Sequence, residues 1–115
     1  MLFDTKTLGL MRDSLNGLAM QQQAILHNLA NLETPGYKTK HVTFEDTLKG
    51  AGGKYDLKAR VYTDDATSIR PDGNNVDSDA ENMALYQNYV QQLYLYQKIG
   101  GQFTNLRYVL NQSAK

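Results

Sequence analysis

Between Leu8 and Leu32 the chain places a core-type residue at alternating steps of three and four: Leu8, Met11, Leu15, Leu18, Ile25, Leu29 and Leu32, with Gln22 the polar member of the row. A 3.5-residue repeat suits a helix laid against another helix and excludes a half-buried strand, whose period is two. The outward positions carry Arg12, Asp13, Asn16, Gln21 and Gln23, and no proline interrupts the run. Gly17 is its weak point, at about 1 kcal/mol relative to alanine. The stripe therefore predicts a helix over residues 5–32. It ends at Thr34-Pro35-Gly36-Tyr37, because proline disfavours helical geometry in the residue before it and Pro-Gly supplies the central pair of a type II turn. Asn31 is suited to close the helix in left-handed geometry.

A second helix is expected over residues 77–112. Asp72-Gly73-Asn74-Asn75 is a turn signal, and Ser78 with Glu81 three residues later reads as a capping box. Tyr89, Leu93, Tyr96, Gly100, Phe103, Leu106 and Leu110 then recur at three or four, and Leu95, Ile99 and Val109 widen the apolar face. Such a helix spans roughly 50 Å. Gly100-Gly101 is its weak joint.

Residues 33–76 read differently. Thr43 to Leu48 suggests a short helix capped by Thr43, with Phe44 and Leu48 on one face. Gly50-Ala51-Gly52-Gly53 breaks any regular structure, and Leu57 to Tyr62 alternates weakly, as a short strand does. Two readings of this section stay open, a β-hairpin or a partly disordered stretch. The fold class is mainly α: one domain over 1–115, its two terminal helices paired as an antiparallel hairpin or coiled coil around a loosely structured middle.

Composition narrows the function. Twelve basic and twelve acidic residues cancel, so no global field draws the chain to nucleic acid or anionic lipid, and weak self-repulsion suits association. Eight tyrosines against three phenylalanines and no tryptophan fit half-wet helix seams better than a deep core. The chain has no cysteine, which excludes a disulfide framework and a thiolate metal site. Met1 to Lys6 has no cationic segment followed by an apolar one, and no apolar run approaches the ~20 residues of a membrane span. Neither a cleaved secretory signal nor membrane insertion is expected.

Chemistry-bearing patterns resolve to structural ones. Asp72, Asn74, Asp77, Asp79 and Glu81 offer oxygen ligands, but the sixth and twelfth places counted from Asp72 hold Asp77 and Met83 rather than the Gly and Glu of a calcium loop. Carboxylates at a helix start meet the positive end of its dipole instead. His27 and His41 have no carboxylates at ligand spacing. Gly50 to Gly53 lacks the Lys-Ser/Thr of a phosphate loop. Ser14, Ser68, Ser78 and Ser113 have no nucleophile context, and the C-terminal tyrosines lack the basic surroundings of a base-stacking platform. No enzyme, cofactor or metal is expected. What remains is a self-associating helical protein, because two helices alone leave part of a wide apolar face uncovered.

Ala30-Asn31-Leu32-Glu33-Thr34-Pro35-Gly36-Tyr37-Lys38, directly after a leucine-striped helix, resembles the Ala-Asn-x-x-Thr-Pro-Gly-Tyr signature of the flagellar rod and hook family. Asp72-Gly73-Asn74-Asn75-Val76-Asp77, followed by an acidic and then Tyr- and Gln-rich helix with Glu81, Asn88, Tyr96 and Gln97, is similar to members at the proximal end of the rod. The resemblance implies an axial structural protein exported from the cytoplasm through the flagellar type III apparatus without a cleaved signal. It implies assembly in the periplasm-spanning rod beside other rod subunits and ring or junction proteins, the terminal helices forming a coiled-coil core with Leu8, Met11, Leu15, Leu18, Ile25, Leu29, Tyr89, Leu93, Tyr96, Phe103, Leu106 and Leu110 as packing residues. A competing reading is a cytoplasmic helical adaptor or chaperone that binds one partner.

Overall fold

The computed structural model of the chain describes residues 5–49, 54–66 and 69–113. The leucine stripe forms α1, Thr5–Ala30, and the Tyr- and Gln-rich segment forms α2, Ser78–Ser113. They run antiparallel, with Asn28 beside Glu81 at one level and Gln21 beside Asn88 two turns further along. The molecule is mainly helical and long, 70 × 33 × 14 Å with a radius of gyration of 19.1 Å, against about 13 Å for a compact chain of this length.

α1 ends at Ala30, and the turn that follows is tightened by Leu32 N–H to Leu29 C=O at 3.3 Å. Asn31 does not adopt left-handed geometry, since no described residue other than glycine has positive φ. Its side chain instead donates to the carbonyl of His27 at 2.8 Å, satisfying one of the orphan acceptors at the helix end. The Pro-Gly turn forms as expected: Gly36 takes φ +72° and Tyr37 N–H reaches Thr34 C=O at 3.3 Å.

The short helix expected over Thr43 to Leu48 is a strand. Residues Lys40–Lys49 form β1 and Lys54–Thr63 form β2, an antiparallel pair in register from Lys40 opposite Thr63 to Lys49 opposite Lys54. A six-residue helix has too few internal bonds to be stable, whereas Val42, Thr43, Phe44 and Thr47 favour a pleated surface. The expected break at Gly50 to Gly53 lies outside the described residues. The hairpin leans on α1, where Val42 is buried and the Phe44 ring lies over Gly17. A Cβ at Gly17 would come within 2.2 Å of that ring, so this glycine is a contact surface rather than a flaw in the helix.

α2 turns inward the second apolar set, Leu95, Ile99 and Val109, together with Leu106, and turns most of the expected row outward. Glu81, Leu85, Asn88, Gln92, Leu95, Ile99, Gln102, Leu106 and Val109, in steps of four and three, are buried or half-buried. Tyr89, Leu93, Tyr96, Phe103 and Leu110 are 60%, 43%, 58%, 54% and 60% exposed. The inner face is selected by amide pairing: Asn88 donates to Leu18 C=O at 2.8 Å and to Gln21 at 2.9 Å, and Gln92 donates to Asn88 at 2.6 Å and to Gln22 at 3.2 Å. Gln22, the polar residue in the leucine row, meets a polar partner. α2 is capped by Asp77, whose carboxylate accepts from Asp79 N–H at 3.1 Å and Ala80 N–H at 3.4 Å. The capping box expected from Ser78 and Glu81 is replaced, because Ser78 is already the first helical residue and Glu81 is buried against α1.

Candidate functional site

Between α1, the foot of the hairpin and the start of α2 lies a cluster of buried amides. Asn28 is 0% exposed, an unfavourable place for asparagine unless every polar position is filled. All are filled here. Its Nδ2 donates to Lys40 C=O at 2.8 Å and its Oδ1 accepts from Lys40 N–H at 2.9 Å, so the side chain pairs with β1 as a neighbouring strand would. The second Nδ2 hydrogen goes to Glu81 Oε2 at 3.2 Å, and Oδ1 also accepts the Tyr37 hydroxyl at 2.8 Å. With its proton on Asn28, Tyr37 takes a second bond from His27 Nδ1 at 2.7 Å, which assigns that nitrogen as the protonated one.

Asn74, also fully buried, closes the end of α1 from 40 residues downstream. Its Nδ2 reaches the carbonyls of Asn31, Leu32 and Thr34 at 3.0, 3.1 and 2.8 Å, and its Oδ1 accepts from Val76 N–H at 2.8 Å. The Arg70 guanidinium joins it on Leu32 C=O. Asn75 bridges the open end of the hairpin, accepting from Thr39 N–H at 2.7 Å and donating to Asp64 C=O at 2.8 Å. Beside it, Asp64 N–H donates to Thr39 C=O at 2.9 Å and Asn75 N–H to Tyr37 C=O at 3.2 Å.

The turns that carry these residues pack back to back. Gly73, at φ +88°, would bring a Cβ within 3.6 Å of the Gly36 Cα, and Lys38 Nζ donates to Gly73 C=O at 2.6 Å. A Cβ there would make ordinary van der Waals contact, so it is the positive φ that reserves the position for glycine. Asp72 accepts from Asn74 N–H at 3.0 Å and shapes its own turn. The Tyr37 hydroxyl has its pKa raised, first by burial and then by the negative charge of Glu81.

The two sequence motifs, 35 or more residues apart, thus meet. Asn31, Thr34, Gly36 and Tyr37 from the first lie against Gly73, Asn74 and Asn75 from the second, Val76 is buried with its N–H on the Asn74 side chain, and Ala30 and Pro35 are exposed. Asp77 faces away as the cap of α2. Of the packing residues, Leu18 and Ile25 are buried, and Leu8, Met11, Leu15, Leu29 and Leu106 are half-buried. The contacts of Asn28, Thr39, Arg70 and Asn75 were not expected. Asn28 carried a readable signal, an amide among leucines in the last turns of an apolar helix; the others bond main-chain atoms and leave no periodic trace. Among the described residues no three His, Asp or Glu side chains gather as metal ligands do. The amides bond main-chain groups, the Tyr37 hydroxyl and Glu81, so what the site does is hold four chain segments in one arrangement.

No protein-family model matches the chain. Its curated relatives are consistent with one another. The flagellar basal body rod protein FlgB of Borrelia hermsii is 31% identical over 117 residues, 81% of this chain and 81% of the relative. FlgB of Bacillus subtilis (strain 168) is 29% identical over 119 residues, 90% and 92% of the two chains. FlgB of Yersinia enterocolitica is 26% identical over 125 residues, 88% and 90%.

Proposed function

The chain belongs to the FlgB family of flagellar basal body rod proteins, and from that premise we propose that it builds the rod by offering the outer stripe of α2 to other subunits while the amide cluster fixes the shape of the helix pair. It is a structural component of the basal-body rod.

The observation that carries the proposal is the outer surface of α2. Tyr86, Tyr89, Leu93, Tyr96, Phe103, Tyr108 and Leu110 are exposed there, and from Asn82 to Ser113 Lys98 and Arg107 are the only charged residues. A solvated helix surface ordinarily carries charge, so an uncharged aromatic stripe is a surface awaiting cover. Copies of this chain and other rod subunits supply that cover by coiled-coil packing, ring or junction proteins adjoin them, and the type III apparatus delivers the chain. Leu8, Met11, Leu15, Leu18, Ile25, Leu29 and Leu106 hold the pair together from within. The family motif Ala30, Asn31, Thr34 to Tyr37 and the second motif Asp72, Gly73, Asn74, Val76 and Asp77 set the angle at which helices and hairpin leave the junction.

The test is Leu93→Glu with mass spectrometry of isolated basal bodies. The variant should be folded, missing from basal bodies, and its cells non-motile. Normal swimming with the variant incorporated would refute the stripe. Wild-type chain found only in the cytosolic fraction would favour a cytoplasmic adaptor.

A further inference from the structure

Glu81 is 6% exposed. Its one side-chain hydrogen bond is the 3.2 Å contact from Asn28, and among the described residues no Lys, Arg or His lies within ion-pair reach of it. A carboxylate has about four acceptor positions, and removing it from water is costly without a counter-charge. Its charge is felt nearby, where it adds to the raised pKa of Tyr37.

The carboxylate borders a cleft of about 230 Å³ between α1, the hairpin and α2. Ala24, Val42, Ala80 and Ala84 give it small apolar walls beside His41 and Tyr62, leaving a partly apolar slot with an anion on its wall. That combination matches a side chain that buries an aliphatic stem and carries its charge at the tip. Lys40 also borders the cleft, but it is exposed and its ammonium stands outside ion-pair distance of Glu81.

We propose that this cleft is a socket for an aliphatic cation, the ammonium or guanidinium end of a lysine or arginine side chain from a neighbouring subunit, with Glu81 as its counter-charge. The source of the cation rests on the rod reading; the socket does not.

The purified chain is titrated with n-butylguanidine and, separately, with neutral n-butanol, following the methyl signals of Ala24, Ala80 and Ala84 by NMR. Butylguanidine should bind saturably and at least about tenfold more tightly than butanol, the size of one charge-assisted hydrogen bond. Glu81→Gln should abolish the difference. Ala84→Leu, which fills the slot and leaves the Asn28 bond in place, should abolish binding in a folded protein. Equal binding of the two probes, no saturable binding, or binding that appears only after Lys40→Met (the socket then being filled by Lys40) would overturn the proposal.

The second arm labels carboxylates with a carbodiimide and an amine. Glu81 should react in the free chain and be protected in washed basal bodies. Protection that washes out marks a free polyamine and overturns the neighbouring side chain as source, as does equal labelling of the two samples. Absence of the chain from basal bodies refutes the rod reading, and the titration still decides the socket.

Discussion

Asn74 gives a further donor to three carbonyls at the end of α1, each of which also accepts from Thr34 N–H, Arg70 or Tyr37 N–H, and its Oδ1 takes the buried Val76 N–H. Removing it leaves the buried Val76 N–H without its acceptor, at about 1–3 kcal/mol for the group, and loses the bonds to the three carbonyls. Asn74→Ala should therefore lower stability by about 3 kcal/mol, read from the urea midpoint. Asn74→Asp should be no better, since a carboxylate faces the same carbonyls without a donor; a neutral Asp variant would show that shape alone matters. Tyr37 gives a pH-dependent counterpart. Between the ordinary tyrosine value of 10.0 and its own raised one, the unfolded chain has released a proton that the folded chain keeps. The unfolded state then binds fewer protons, so stability falls as pH rises through that window. Tyr37→Phe should cost about 1 kcal/mol at neutral pH through the lost hydroxyl bond, and its urea midpoint should fall less steeply than wild type above pH ~10.

At the level of elements, capping and docking can be separated by paired substitutions. Asp77→Ala should destabilise α2 by about 1 kcal/mol while Ser78→Ala leaves the thermal midpoint nearly unchanged. Gly17→Ala combines a helix gain of about 1 kcal/mol with displacement of the Phe44 ring. It should stabilise the chain only when Phe44→Ala is already present, so a double-mutant cycle should return a coupling energy of at least about 0.5 kcal/mol. These elements differ in how much of them the sequence displays. The α1 stripe and the Pro-Gly turn are written in local spacing and can be read directly. β1 was hidden because Thr43, Phe44 and Leu48 fit a helical face as well as a strand, and only pairing with 54–63 decides between them. The inner face of α2 was legible only in Leu95, Ile99, Leu106 and Val109, for another reason. Hydrophobicity points to Tyr89, Leu93 and Tyr96, yet the contact with α1 is set by amides at Asn88 and Gln92 whose partners lie 67 to 70 residues away. The same holds for the cluster, where Asn28, Asn74 and Asn75 bond main-chain atoms of other segments.

For the whole molecule, the consequence is a division of labour between two faces of one helix. The amide-bearing face fixes how α2 lies on α1, since an unmatched asparagine there is costly and only one register satisfies them together. The aromatic face contributes little to the isolated chain because it is already wet. A charge on it should leave the fold intact: Tyr96→Glu should shift the urea midpoint by less than about 0.5 kcal/mol yet prevent incorporation into the rod. Ile25→Glu, which buries a charge against α2, should unfold the chain outright. Because the stripe is nearly free of charge, its association should also resist screening. Sedimentation of the purified chain at fixed concentration, from about 50 to about 500 mM salt, should show self-association that holds or strengthens. Dissociation across that range would mean that the charged hairpin, which carries Lys58 and Arg60 on one strand and Glu45 on the other, makes the contact between subunits, and that the tyrosine stripe is covered by something else.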